Sequence, residues 1–217
     1  MTTLYLNDSR HILSDAQGRR FDPATRRWGS PQGTPGASRA GDSISLRQAI
    51  RWLQRESEAP CRVPVGIIGP RAAEADQRAV AEEIGSGLAA LGLTVLCGGR
   101  EGVMEAVCRG VAAGGGLSIG LLPDDHWDKA NSFVSIPLAS GIGVARNAVI
   151  ARASLCLVAI GGGHGTLSEI AFGLQFGRPV FALARAPQVA GVKLLADWPE
   201  VEDSVCRVVL DLVEPPQ

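Results

Sequence analysis

From Cys61 onward, short unbroken apolar runs alternate with stretches whose apolar residues recur every three or four positions. VPVGIIG, LTVLCGG, GLSIGLL, FVSIPL, SLCLVAI and RPVFALA are of the first kind and are rich in β-branched residues. DQRAVAEEIGSGLAALG, REGVMEAVCRGVAAGG, GIGVARNAVIARA and TLSEIAFGLQFG are of the second, and VCRVVLDLV closes the chain. Continuous apolar strands need cover on both faces, and helices between them supply it. The pattern predicts a doubly wound, Rossmann-like α/β domain over residues 61–217, with a mostly parallel sheet and helices on both faces. Such sheets bind ligands beyond the carboxyl ends of their strands. Gly69, Gly98-Gly99 and Gly161-Gly162-Gly163 each follow a strand and are expected to line that edge.

Residues 1–60 follow a different rhythm. Short alternating apolar stretches flank Asp15-Ala16-Gln17-Gly18 and predict a β-hairpin. GSPQGTPGASRAGDS, residues 29–43, is rich in Gly, Pro and Ser and reads as a linker. Ser43 is placed to cap a helix through Glu56 that buries Ile44, Ala49, Ile50 and Leu53. This region is expected to form an appendage to the main domain.

Composition narrows the function. With 46 % hydrophobic and 20 % charged residues, the chain has the make-up of a globular protein. Its net charge of −1 lacks the basic excess of a nucleic-acid binder. No apolar run approaches the roughly 18 residues of a membrane span. MTTLYLNDSR has no basic segment followed by an apolar core, so no signal peptide is expected and a cytoplasmic location is. The five cysteines form no CxxC pair and read as buried reduced thiols.

The candidate chemistry centres on AIGGGHGTLSEIAFG, residues 159–173, where glycines crowd between a strand and a helix. The spacing matches neither a dinucleotide G-x-G-x-x-G nor a Walker loop, which needs a Lys-Ser or Lys-Thr pair. What remains is a loop whose amides, with the Thr166 hydroxyl, can cradle an anion at a helix N-terminus, or a tight turn that only packs the helix closely. Gly116-Leu117-Ser118-Ile119-Gly120 has the spacing of a hydrolase nucleophile, but Ser118 lies inside a strand rather than at a strand-to-helix turn. Asp124, Asp125, His126 and Asp128 form a polar loop without metal-ligand spacing to the other histidines, so no metal site is assigned. Arg146, with Asn147 beside it, starts a helix near the ligand edge. Glu169 lies one turn into the helix after the glycines, where a carboxylate also suits the helix dipole.

Gly98-Gly99-Arg100-Glu101-Gly102-Val103-Met104, then Arg146-Asn147, then Gly162-Gly163-His164-Gly165-Thr166-Leu167-Ser168-Glu169 together resemble the Lonely-Guy superfamily. Its older label, "possible lysine decarboxylase", is not supported by its fold. The resemblance covers residues 63–185. The family signature is Pro-Gly-Gly-x-Gly-Thr-x-x-Glu, preceded by a Met-x-x-Arg-Lys helix start. Arg146 matches its arginine and Glu169 its glutamate; Gly162, Gly163, Gly165 and Thr166 match the phosphate loop. Gly161, Gly143 and Asn147 stand where the signature has proline, methionine and lysine. These departures make the chain look more like the branch of the molybdenum cofactor carrier proteins.

The resemblance implies two readings. One is a binding or carrier protein for a phosphate-bearing small molecule, either a molybdenum cofactor or a nucleotide. The other is a phosphoribohydrolase that cleaves the N-glycosidic bond of a nucleoside 5′-monophosphate, with Arg146 and Glu169 catalytic and no cofactor required. The binding reading is preferred. Its expected site comprises Gly69, Gly98, Gly99, Arg146, Asn147, Gly161, Gly162, Gly163, His164, Gly165, Thr166 and Glu169. A homo-oligomer, dimer or tetramer, is also implied.

Overall fold

Seven parallel strands organise the larger part of the molecule, and their order in the sheet differs from their order in the chain. The computed structural model describes residues 3–7, 11–31 and 41–213. The chain divides into two compact units, residues 1–61 with 203–214, and residues 62–202.

The first unit contains strands β1 (Leu4–Asn7), β2 (Ile12–Asp15), β3 (Phe21–Asp22), β4 (Arg27–Trp28) and β5 (Asp42–Ile44), followed by helix α1 (Leu46–Arg55). β2, β1 and β5 form an antiparallel sheet, and β3 pairs with β4. The turn expected at Asp15–Gly18 is present. The Gly18 N–H donates to the Asp15 carbonyl, and the Asp15 carboxylate accepts the Gln17 and Arg19 N–H groups. Helix α1 is capped by Ser45 rather than Ser43. The Ser45 hydroxyl accepts the Gln48 N–H, and the Gln48 side chain accepts the Ser45 N–H at 2.8 Å. Only Ser45 has a glutamine three residues on to close this reciprocal box. Ser43 instead lies in β5 opposite Tyr5, and Ile44 ends that strand. Ala49, Ile50 and Leu53 are buried as expected, with Trp52 among them. The linker reading of residues 29–43 is corrected at its end, where Asp42 and Ser43 are strand; residues 32–40 lie outside the described residues.

The second unit begins with β6 (Val65–Ile68), α2 (Ala75–Leu91), β7 (Val95–Cys97), α3 (Val103–Ala113), β8 (Ser118–Leu122) and β9 (Ile136–Ala139). It continues with α4 (Arg146–Ala153), β10 (Leu157–Ile160), α5 (His164–Gln175), β11 (Val180–Leu183) and β12 (Lys193–Leu194). Helix α6 (Trp198–Val209) crosses the boundary between the units. The sheet order is β12-β11-β10-β6-β7-β8-β9. The chain enters mid-sheet at β6, steps outward to β9, then returns to place β10 on the other side of β6. Every residue of β6, β7, β10 and β11 is buried, which explains their unbroken apolar sequence; β9, at an edge, is mostly exposed. This is the doubly wound α/β architecture expected from the sequence. Its strand order reverses between β6 and β10, and a crevice opens at such a switch point.

Candidate functional site

Beyond the carboxyl ends of β6 and β10 lies a pocket of about 320 Å³. The end of β6 supplies Ile67, Ile68 and Gly69, and the next two residues, Pro70 and Arg71, extend the wall. β7 leads into Gly98, and α3 contributes Met104. Val144, Arg146 and Asn147 come from the start of α4, and Gly163, Gly165, Thr166 and Glu169 from the start of α5.

The glycines differ in what they do. Gly161 has φ +58°, and a side chain there would collide with the amide of buried Gln77. Only glycine takes that backbone without strain. Gly163 has an ordinary extended backbone, and a Cβ built on it meets nothing within 4 Å. Its lack of a side chain leaves open space over the pocket and is not a packing requirement. Gly98 is smallest where the pocket is tightest, since a Cβ there would approach Arg146 Nη2 to 2.5 Å and Met104 Sδ to 2.8 Å.

Helix α5 starts without a side-chain cap. Its first-turn N–H groups have no intrahelical acceptor and carry the positive end of the helix dipole. Thr166, in that turn, is buried. Nearby, the Arg146 guanidinium donates through Nη1 to Glu169 Oε1 at 2.9 Å and to the Asn147 side-chain oxygen. Its Nε is buried and has no hydrogen-bond acceptor among the described residues. The Asn147 amide in turn donates to Ser168 Oγ at 2.8 Å and to the Gly165 carbonyl at 3.4 Å. Asn147 therefore ties the start of α4 to the first turn of α5. Burial pushes the Glu169 carboxyl up to about 7, against the pull of Arg146. Near neutral pH the carboxyl can thus exchange a proton with little driving force either way.

Of the residues singled out in the sequence, Gly69, Gly98, Arg146, Asn147, Gly163, Gly165, Thr166 and Glu169 meet in this one pocket. Gly99, Gly161, Gly162 and His164 are not part of its wall. Gly99 instead packs against Leu122 and Gly120, Gly161 and Gly162 shape the turn, and His164 opens α5 on the exposed side. Glu169 is not a capping carboxylate, because its partner is Arg146. Pro70 and Arg71 escaped the sequence reading, and Met104 entered it only within the family motif, without a site role. The rule that selected Gly69, proximity to a strand's carboxyl end, also reaches Pro70 and Arg71. Ser118 is buried within β8 and exchanges hydrogen bonds with Ser135, as a strand residue rather than a nucleophile at a turn. Asp124 pairs with Arg100. A cavity of about 360 Å³ within the first unit is bordered by Asp22, Glu56 and Glu58 without a lysine or arginine, which suits no anion.

The fold and this crevice define a Rossmann-like α/β domain with its ligand-type cleft at the switch point. More particularly, the model of the SLOG cluster4 family matches residues 62–205, and the chain belongs to that family, which is of the Lonely-Guy type. An uncharacterized protein of Archaeoglobus fulgidus is 34 % identical over 142 residues, 65 % of this chain and 93 % of that protein. Among solved structures, the molybdenum cofactor binding protein of Rippkaea orientalis is 29 % identical with a TM-score of 0.64, covering 68 % of this chain and 98 % of its own. The molybdenum cofactor carrier protein of Chlamydomonas reinhardtii is 32 % identical with a TM-score of 0.64, covering 69 % and 99 %. Among the described residues no helix is long and apolar enough to cross a membrane.

Proposed function

We propose that this protein is a binding or carrier protein for a phosphate-bearing small molecule, held in the pocket at the start of α5. The observation that carries the reading is the convergence of an uncapped helix N-terminus, Thr166 and the Arg146 guanidinium on one cleft. Amides at a helix start and a guanidinium both donate charge-assisted bonds to phosphate oxygens. The similarity to molybdenum cofactor binding and carrier proteins supports a pterin phosphate as the cargo. The residues present fit the phosphate end of such a molecule. Among the described residues no group of three or more His, Cys, Asp or Glu could hold a metal ion, so the cargo's own atoms would have to hold its metal. We expect the protein to act in solution as a homo-oligomer.

The experiment is calorimetric titration with inorganic phosphate, AMP and molybdopterin, on the parent and on Thr166→Val. Binding of at least one phosphate-bearing compound that weakens in Thr166→Val supports the reading. Equal binding by both proteins refutes the location.

A second reading, nucleoside 5′-monophosphate hydrolysis, is favoured by one observation: Glu169 stands in the pocket with its carboxyl near 7. A carboxyl so poised can act as a general acid. Two features weigh against it. Glu169 is held by Arg146, and Asn147 replaces the family's lysine with a neutral side chain. Incubation with AMP should therefore release no ribose 5-phosphate. Release that vanishes in Glu169→Gln would establish the enzyme.

A further inference from the structure

All five cysteines are buried and none is in a disulfide, and two of them lie against each other. Cys97 Sγ and Cys108 Sγ are 3.6 Å apart. Cys97 ends β7, immediately before the pocket residue Gly98, and its sulfur accepts the Gly99 N–H at 3.4 Å. Cys108 lies on α3 one turn after Met104, whose side chain forms the pocket wall facing Gly98. The two thiols therefore sit on the two elements that carry adjoining parts of the wall. Both are fully buried, and they interact with each other and with polar neighbours. Cys108 is held below the usual thiol range, chiefly by a hydrogen bond from Cys97 and further by Ser118 and Asn131, although burial opposes this. Burial and Cys108 push the Cys97 thiol up. One sulfur is thus the better nucleophile, and the other is the proton-bearing neighbour that resolves the product.

We propose that Cys97 and Cys108 form a dithiol that a peroxide converts to a disulfide, and that this bond weakens ligand binding in the adjoining pocket. The Cys108 thiolate attacks one peroxide oxygen, the O–O bond breaks, and hydroxide leaves with a proton as water. The resulting sulfenic acid is attacked by Cys97 sulfur; the S–O bond breaks, the S–S bond forms, and a second water leaves with the Cys97 proton. Both thiols are oxidised by one electron each, and hydrogen peroxide takes up two. A disulfide needs its sulfurs about 2.05 Å apart, so they must close by roughly 1.5 Å. We take this closure to draw the end of β7 toward α3. Gly98 follows Cys97 directly, and the space a Cβ would take there is already held by Arg146 Nη2 and Met104 Sδ, so a shift of this backbone changes the pocket wall. The effect on binding rests on the pocket reading above, whereas formation of the bond does not.

The test treats the purified full-length protein with hydrogen peroxide, counts thiols after denaturation, and maps linked peptides by mass spectrometry. Loss of two thiols, a mass lower by two hydrogens and a peptide joining Cys97 to Cys108 are expected, with reversal by dithiothreitol. The affinity for inorganic phosphate should fall about five-fold or more in the oxidised protein and recover on reduction. Cys108→Ser should keep its phosphate affinity through the same treatment, and Cys97→Ser repeats this control if Cys108→Ser does not fold. Five surviving thiols, a bond to Cys61, Cys156 or Cys206, or a gain of oxygen on Met104 alone would overturn the proposal. So would a Cys97–Cys108 bond that leaves phosphate affinity unchanged. If the reduced protein binds no phosphate while the disulfide forms, it is the anion-site reading that has failed, together with the effect on binding assigned to the bond.

Discussion

Arg146 and Glu169, 23 residues apart in the chain, meet with Nη1 2.9 Å from Oε1, their side chains only 11 % and 8 % exposed. An arginine at a helix start is disfavoured by the helix dipole. The carboxylate brought to it by α5 offsets that, so the residue is structural as well as pocket-lining. Arg146→Ala should therefore destabilise the protein by about 3 kcal/mol at pH 8, because it strands a buried carboxylate. The loss should shrink at pH 5 and partly recover in the double variant with Glu169→Gln. Urea unfolding at the two pH values checks this. A single variant within about 0.5 kcal/mol of the parent at pH 8 would mean that the pair contributes nothing to the fold.

The Glu169 carboxyl has a second consequence. Its ordinary value is 4.5, and burial raises it to about 7 in the folded protein. The folded state thus holds this proton more tightly than the unfolded state. The associated stability is fully present below about pH 4.5 and is lost as pH rises through about 7. The interval corresponds to roughly 3 kcal/mol. Glu169→Gln should remove this share of the decline, so that its stability relative to the parent increases between pH 5 and pH 8. Parallel pH curves for the two proteins would contradict the assignment.

Two glycines of one loop should respond differently to the same change. Gly163→Ala meets no atom within 4 Å and needs no unusual backbone, so stability should hold within about 0.5 kcal/mol while phosphate affinity drops ten-fold or more, about 1.4 kcal/mol. Gly161→Ala should lose about 1–2 kcal/mol of stability, since its φ is +58° and Gln77 occupies the space. Thermal unfolding and phosphate titration of both variants separate the two effects. Unaltered phosphate binding by Gly163→Ala would move the cradle elsewhere.

The cap of α1 gives a test within the first unit. Ser45→Ala should cost about 1 kcal/mol, and Ser43→Ala should lie within about 0.5 kcal/mol of the parent. The reverse ranking in urea unfolding would return the cap to Ser43.

Much of the candidate pocket's lining is legible in the sequence, and the reason is local. A strand that ends in glycine before a helix announces a turn at the ligand edge, which brought Gly69, Gly98 and Gly163 into view. The Ser45–Gln48 box is equally local, since of Ser43 and Ser45 only the latter has a glutamine three residues on. Arg71 was marked only by its nearness to the end of β6, and Met104 only by its place in the motif that follows β7. An arginine after Pro70, or a methionine in an amphipathic helix, reads the same on any surface or core.

What the sequence by itself determined is the alternation of buried strands and covering helices, the parallel class of the sheet, and the glycine turns at its carboxyl edge. These depend on periodicity and on backbone freedom within a few residues. Only the tertiary structure decided that β10 returns beside β6, that Arg146 faces Glu169, and that Cys97 touches Cys108. The first two join elements far apart in the chain, and the third depends on how α3 is turned against the strand before it. They follow from how the helices pack on the sheet, and the raised carboxyl of Glu169 follows in turn from the burial that this packing imposes.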